Sequence, residues 1–146
     1  MKNLLVKMLF IPLAILLLLT QNTYAQVISD RSIDVTYSVS SELESENNYT
    51  LSYSLNPNTS PFISLDMFRM PAAHWENGFF TTQNKYPSTV TIPLGYWTPT
   101  PYFTLRLTRQ DGYYTQQSLP LENLTVSIKI SRAGLIDFSY RSYPPF

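Results

Sequence analysis

The sequence predicts an all-β domain, a sandwich or barrel of about seven strands. Three observations carry this: a hydrophobic period of two along most of the chain, turn residues at regular intervals between the alternating runs, and no segment with a convincing helical period. In the clearest run Ile33, Val35, Tyr37 and Val39 alternate with Ser32, Asp34, Thr36 and Ser38. A strand of that pattern buries one face and wets the other.

Residues 1–25 come before the alternating pattern. Lys2 and Lys7 form a short basic start, an apolar run from Met8 to Leu19 is broken only by Pro12, and a polar stretch ends at Ala25 before Gln26. This is the architecture of a secretory signal peptide, and its apolar run is too short for a bilayer, which needs about 20 residues. The expectation is an exported domain over residues 26–146.

Within that domain the next strand reads Tyr49 to Leu55 (Tyr49, Leu51, Tyr53, Leu55 on one face) and closes at Asn56-Pro57-Asn58. Between the first two strands, Ser41 to Asn48 reads as a solvated connection, although Glu42, Glu44 and Glu46 repeat every second residue. They lack the Asp/Asn/Gly spacing of a calcium loop. Phe62 to Phe68 follows, with Ile63, Leu65 and Met67 expected on the buried face. Met70 to Trp75 offers one short turn of helix with Pro71 at its first position. Pro87 is expected between strands, ahead of Thr89 to Leu94 (Val90, Ile92, Leu94).

Tyr102 to Arg109 (Phe103, Leu105, Leu107) is joined through a tight Asp111-Gly112 turn to Tyr113–Ser118. Leu121 to Ile130 (Leu124, Val126, Ile128, Ile130) and a last strand through Ile136, Phe138 and Tyr140 complete the set. No internal repeat or linker divides the chain, so a single domain is expected.

Composition narrows the function. The chain of 146 residues has 10 Lys+Arg, 10 Asp+Glu, no cysteine and one histidine. Loss of Lys2 and Lys7 with the leader leaves 8 bases against 10 acids, net −2. That balance gives no pull toward nucleic acid or an anionic membrane. Without cysteine, disulfide scaffolds and thiol chemistry are excluded, and no Cys/His metal site is expected. His74 is the one imidazole, and no nucleophile elbow accompanies it. No pair among the acids is singled out for glycoside hydrolysis. The reading is a protein that is not an enzyme and carries no cofactor.

Aromatic residues are the positive excess, with 11 Tyr, 8 Phe and 2 Trp. Trp75, Phe79, Phe80, Tyr96, Trp97, Tyr113 and Tyr114 stand outside the clean alternation. Rings of this kind stack on sugars, anchor interfaces or cap the ends of a sandwich. Trp75, Tyr96, Trp97 and Tyr113 are the candidate glycan platform.

The first strand is the other candidate. The segment from Asp30 to Val39 contains neither Pro nor Gly and can pair within its own domain or be donated to another. The run Ile33-Asp34-Val35-Thr36-Tyr37-Ser38-Val39 resembles the mature N-terminus of colonisation-factor-type pilins of chaperone–usher fimbriae. The resemblance covers about 10 residues plus size, leader and composition. It implies a single Ig-like β-sandwich of about seven strands, with residues 30–39 as donor strand and Ile33, Val35, Tyr37 and Val39 as the residues that fill a neighbour's pockets. It also implies other fimbrial subunits, a periplasmic chaperone and an usher as partners, with passage through the periplasm to the cell surface. The tail Arg141-Ser142-Tyr143-Pro144-Pro145-Phe146 departs from that family. Two functions stand as expectations: an exported structural or adhesive fimbrial subunit assembled by strand donation, and a secreted carbohydrate-binding module reading host or cell-surface glycan.

Overall fold

A computed structural model of the chain describes residues 31–95 and 101–143. The leader therefore lies outside the described residues, as do Tyr96 and Trp97. The described chain is all-β, with ten strands and no helix: β1 (Ser32–Ser41), β2 (Asn47–Ser54), β3 (Ile63–Met70), β4 (His74–Glu76), β5 (Phe79–Thr81), β6 (Gln83–Pro93), β7 (Tyr102–Arg109), β8 (Tyr114–Pro120), β9 (Leu124–Ile130) and β10 (Ile136–Ser142). Two four-stranded sheets form a sandwich-like arrangement, one ordered β10-β9-β1-β6 and the other β3-β2-β7-β8, while β4 and β5 form a separate hairpin.

The core sits between the two sheets and is built from the alternation. The first sheet contributes Ile33, Val35, Tyr37 and Val39 from β1 and Leu124, Val126, Ile128 and Ile130 from β9, all buried. The second contributes Tyr49, Leu51 and Tyr53 from β2, Phe103, Leu105 and Leu107 from β7, and Leu119 from β8. They form one cluster. Each fully buried aliphatic side chain contributes about 1.5–3 kcal/mol relative to exposure, and this is the cohesion that replaces disulfides here.

Turn chemistry fixes the connections. Gly112, at φ +92°, closes β7 onto β8, as the Asp111-Gly112 pair predicts. The Asn56 carbonyl accepts from Thr59 and Ser60 N–H at 3.2 and 2.8 Å in the turn after β2.

Three expectations are corrected. Met70 to Trp75 forms no helical turn; β3 runs to Met70 and β4 begins at His74. The cause is Asn77-Gly78, both at positive φ (52° and 82°), which folds β4 back on β5 with Trp75 opposite Phe80. Pro87 lies inside β6, where two residues, Tyr86 and Pro87, oppose the single Ser38 of β1. A bulge on an edge strand tolerates a residue without an N–H donor.

The third correction concerns β3. A bulge inserts Leu65 between the pairs Leu51–Asp66 and Ser52–Ser64. The phase reverses there, so Asp66, Phe68 and Met70 turn inward and Met67 is 75 % exposed. Ile63 stays exposed at the strand's start.

Candidate functional site

Two regions hold the residues that the sequence singled out. The first is the slot that β1 occupies. β1 is central in its sheet, antiparallel to β6 (Ile33 opposite Ile92, Val35 opposite Val90) and parallel to β9 (Val35 beside Leu124, Tyr37 beside Val126, Val39 beside Ile128). All four candidate donor residues, Ile33, Val35, Tyr37 and Val39, point into the core of their own chain. Without β1, the facing edges of β6 and β9 would lose their backbone partners over the length of the strand.

Three of those four side chains are purely apolar, whereas Tyr37 carries a hydroxyl. That hydroxyl donates to the Asp66 carboxylate of β3, and Lys85 of β6 forms an ion pair with the same carboxylate. The Lys85 ammonium is also 3.0 Å from the Tyr37 oxygen and lies over the rings of Phe68, at 4.2 Å, and Tyr37, at 5.2 Å. The Asp66 and Lys85 side chains are only 30 % and 21 % exposed. A charge pair held that far from water needs hydrogen bonds beyond its own, and the tyrosine supplies one.

Alternation does not reveal this cluster. Asp66 sits between Leu65 and Met67 in a run whose apolar alternation points it outward, and Lys85 precedes the expected strand. Both turn inward through the bulges at Leu65 and Pro87.

The second region is one end of the sandwich. The register brings the β1–β2 connection, the β4–β5 hairpin, the β7–β8 turn and the β9–β10 turn to the same end, since Ser41 lies between Ile130 and Gln83 and Tyr49 lies opposite Arg109. Trp75 is 61 % exposed on the hairpin and meets Phe80 edge to face, ring centroids 5.7 Å apart. The Arg132 guanidinium covers Phe80 at 4.5 Å and Trp75 at 5.8 Å, held by Glu44 through contacts of 3.0 and 2.5 Å.

Tyr113 stands at the same end but serves another arginine. Arg109 lies 4.9 Å from its ring centre and binds Asp111 through two contacts of 2.9 and 2.7 Å. The pair holds the Asp111 carboxyl down to about 2, first through the Arg109 hydrogen bond and then through the Tyr113 N–H. Of the four candidate glycan-binding aromatics, Trp75 and Tyr113 thus share an end and pack on different cations, and Tyr96 and Trp97 lie outside the described residues.

Two further charged pairs at this end lie at the surface. Glu46 binds Arg69, and His74 lies 3.8 Å from Glu76 with both side chains exposed. Glu44 and Glu46 are thereby drawn to different arginines. Among the described residues no group of three His, Cys, Asp or Glu is placed to hold a metal ion. On the outer side, Asn48, Thr50, Met67, Arg69, Thr108 and Gln110 help line an open depression of about 710 Å³. Further along the same sheet Arg106 is clamped between the rings of Phe62 and Tyr114, at 3.5 and 4.1 Å, and bound by Gln116.

No protein-family model matches the chain, and no curated protein matches it.

Proposed function

We propose that the chain is an exported structural and adhesive subunit of a bacterial surface fimbria, an Ig-like sandwich whose residues 30–39 are a strand exchanged between copies. The observation that carries this reading is the position of β1: the first described strand is intercalated between β6 and β9 rather than added at an edge. Its four inward side chains fill a slot that an identical strand from another copy fills with the same contacts, so exchange is nearly neutral in contact energy. The hinge is the connection of residues 42–46, which would have to extend and release Leu43, whose carbonyl accepts from Ala73 N–H at 2.7 Å. Periplasmic chaperone and usher would hold the slot open in transit.

Deleting residues 26–40 tests it. The shortened chain should be unfolded alone and should regain its β-sheet circular dichroism when a peptide of residues 30–41 is added. A shortened chain that the peptide cannot rescue overturns the reading.

A second function, carbohydrate binding, is favoured by one observation: the exposed face of Trp75 beside the cation of Arg132. Sugar rings stack on such a face while a guanidinium donates to their hydroxyls. Tryptophan fluorescence titrated with a glycan panel should shift, and the shift should vanish in Trp75→Ala; no shift with any glycan removes this function.

A further inference from the structure

We infer that Tyr37 sets the register in which β1 docks, because Asp66 and Lys85 form a polar receptor that accepts a tyrosine hydroxyl and rejects a valine. The slot between β6 and β9 then selects a strand with alternating apolar residues and a tyrosine at this one position. The identity of the copy that supplies the strand rests on the strand-exchange reading above; the register itself does not.

Alternation alone fixes the parity of β1 in its slot and leaves registers two residues apart open. A slip of one residue would send every apolar side chain of β1 to solvent, so parity is strongly specified. A slip of two keeps the apolar residues inside, moving Val35 or Val39 into the place of Tyr37. Ile33, Val35 and Val39 are similar enough that the aliphatic pockets tolerate the exchange. Tyr37 is the one member of the four that matches neither neighbour, so its own place distinguishes these registers, by volume and by its hydroxyl, and Tyr37→Phe isolates the hydroxyl.

The exposed contacts of β1 are poor discriminators. Thr36 meets Thr89 at 2.8 Å, and Thr91 donates to Asp34 at 2.8 Å, both at the surface where water replaces either partner. The inner cluster is different. With a valine at this position, Asp66 and Lys85 would keep each other but lose the hydroxyl that bonds both, and the displaced tyrosine would carry its hydroxyl among aliphatic side chains. The first penalty arises in either slip, and the second is larger when Tyr37 takes the place of Val35, since the place of Val39 lies opposite Lys85.

The backbone is arranged for this contact twice over. The Leu65 bulge in β3 turns Asp66 inward, and the Tyr86–Pro87 bulge in β6 turns Lys85 inward while Tyr86 is left 86 % exposed. Bulges re-aim side chains, and here two of them, on edge strands of opposite sheets, aim opposite charges at one tyrosine. A lone buried polar group that fixes register in an apolar seam is the best-attested use of such a contact.

Disulfide trapping tests the inference cleanly because the chain has no cysteine. Thr36→Cys with Thr89→Cys reports the native register. Thr36→Cys with Thr91→Cys, and Asp34→Cys with Thr89→Cys, report slips of two in the two directions. Oxidised full-length mature protein should trap the first pair and leave the slipped pairs nearly unbonded. Adding Tyr37→Phe should raise one or both slipped bonds by at least about tenfold, the weight of a hydrogen bond to a charged group. The double variant Asp66→Leu/Lys85→Met, which keeps Tyr37, should do the same and covers the case in which Tyr37→Phe fails to fold. Slipped bonds that stay as scarce in both backgrounds as in the parent overturn the inference. Whether each bond lies within one chain or between copies, read on a non-reducing gel, reports strand exchange separately.

Discussion

Arg109 grips Asp111 from two residues away, with Nε on one carboxylate oxygen at 2.9 Å and Nη2 on the other at 2.7 Å. The Tyr113 N–H adds a third contact at 3.1 Å. Every one of these favours the charged carboxylate, so the Asp111 carboxyl should titrate at about 2 in a carbon-detected NMR pH series. In Arg109→Gln the midpoint should climb back toward 3.8. Since the folded value is the lower one, the stabilising contribution is complete above the ordinary carboxylate range and disappears as pH falls toward 2.

Gly134 is coupled to the same arginine. It sits at φ +86°, and a Cβ there would stand 3.0 Å from Nη1 of Arg109. Gly134→Ala should cost about 1–2 kcal/mol of unfolding free energy in urea through the left-handed backbone. It should also push the guanidinium aside, so the Asp111 midpoint should rise in the same variant.

Tyr49 gives the opposite kind of prediction. Its hydroxyl is buried without a hydrogen-bond partner among the described residues, and burial raises its pKa above 10.0. An unpartnered hydroxyl contributes a desolvation cost and no bond. Tyr49→Phe should therefore leave stability unchanged or raise it by about 1 kcal/mol at neutral pH. With the folded pKa above the unfolded one, the parent should lose stability as pH rises past 10, and Tyr49→Phe should flatten that loss.

The bulge in β3 can be tested with two methionines. Met67→Ala should fall within about 0.5 kcal/mol of the parent, since the side chain is 75 % exposed. Met70→Ala, at a site only 2 % exposed, should cost about 2–5 kcal/mol in the same denaturation series. Equal losses would mean that the phase of the strand is not reversed.

The sequence revealed most where strands are unbroken. Val35, Leu51, Leu105 and Ile128 each mark a strand whose apolar residues all face the core as the alternation predicts, although Ser52, Ser54 and Thr104 on the other face of β2 and β7 are buried too. Alternation fails at β3 and β6 because a bulge is a change of phase; Pro87 marks the one in β6, and no side chain marks the one in β3. The β4–β5 hairpin was legible in Asn77-Gly78, a turn signal that the proline at position 71 overshadowed. The polar contact of Tyr37 was not legible at all, since its partners lie 29 and 48 residues away on strands whose facing depends on those same bulges. Trp75 and Tyr113 stand out in the sequence by ring type, and only the fold reveals that they share one end.

The placement of β1 also governs the order in which the molecule can assemble. The β2–β3, β4–β5, β7–β8 and β9–β10 pairs are hairpins that close over short loops. β1 has no such neighbour: Thr36 reaches 53 residues ahead to Thr89, and Asp34 reaches 89 residues ahead to Asn123. Closing loops of that size is slow, and parallel pairing such as that of β1 with β9 is among the slowest steps a sheet can require. β1, made before both of its partners, therefore waits longest among the described strands for its pairing. Until β6 has emerged both edges of β1 are open, and until β9 has emerged the edge that β9 covers stays open, and this is the interval in which a second chain or a folding helper has access to it.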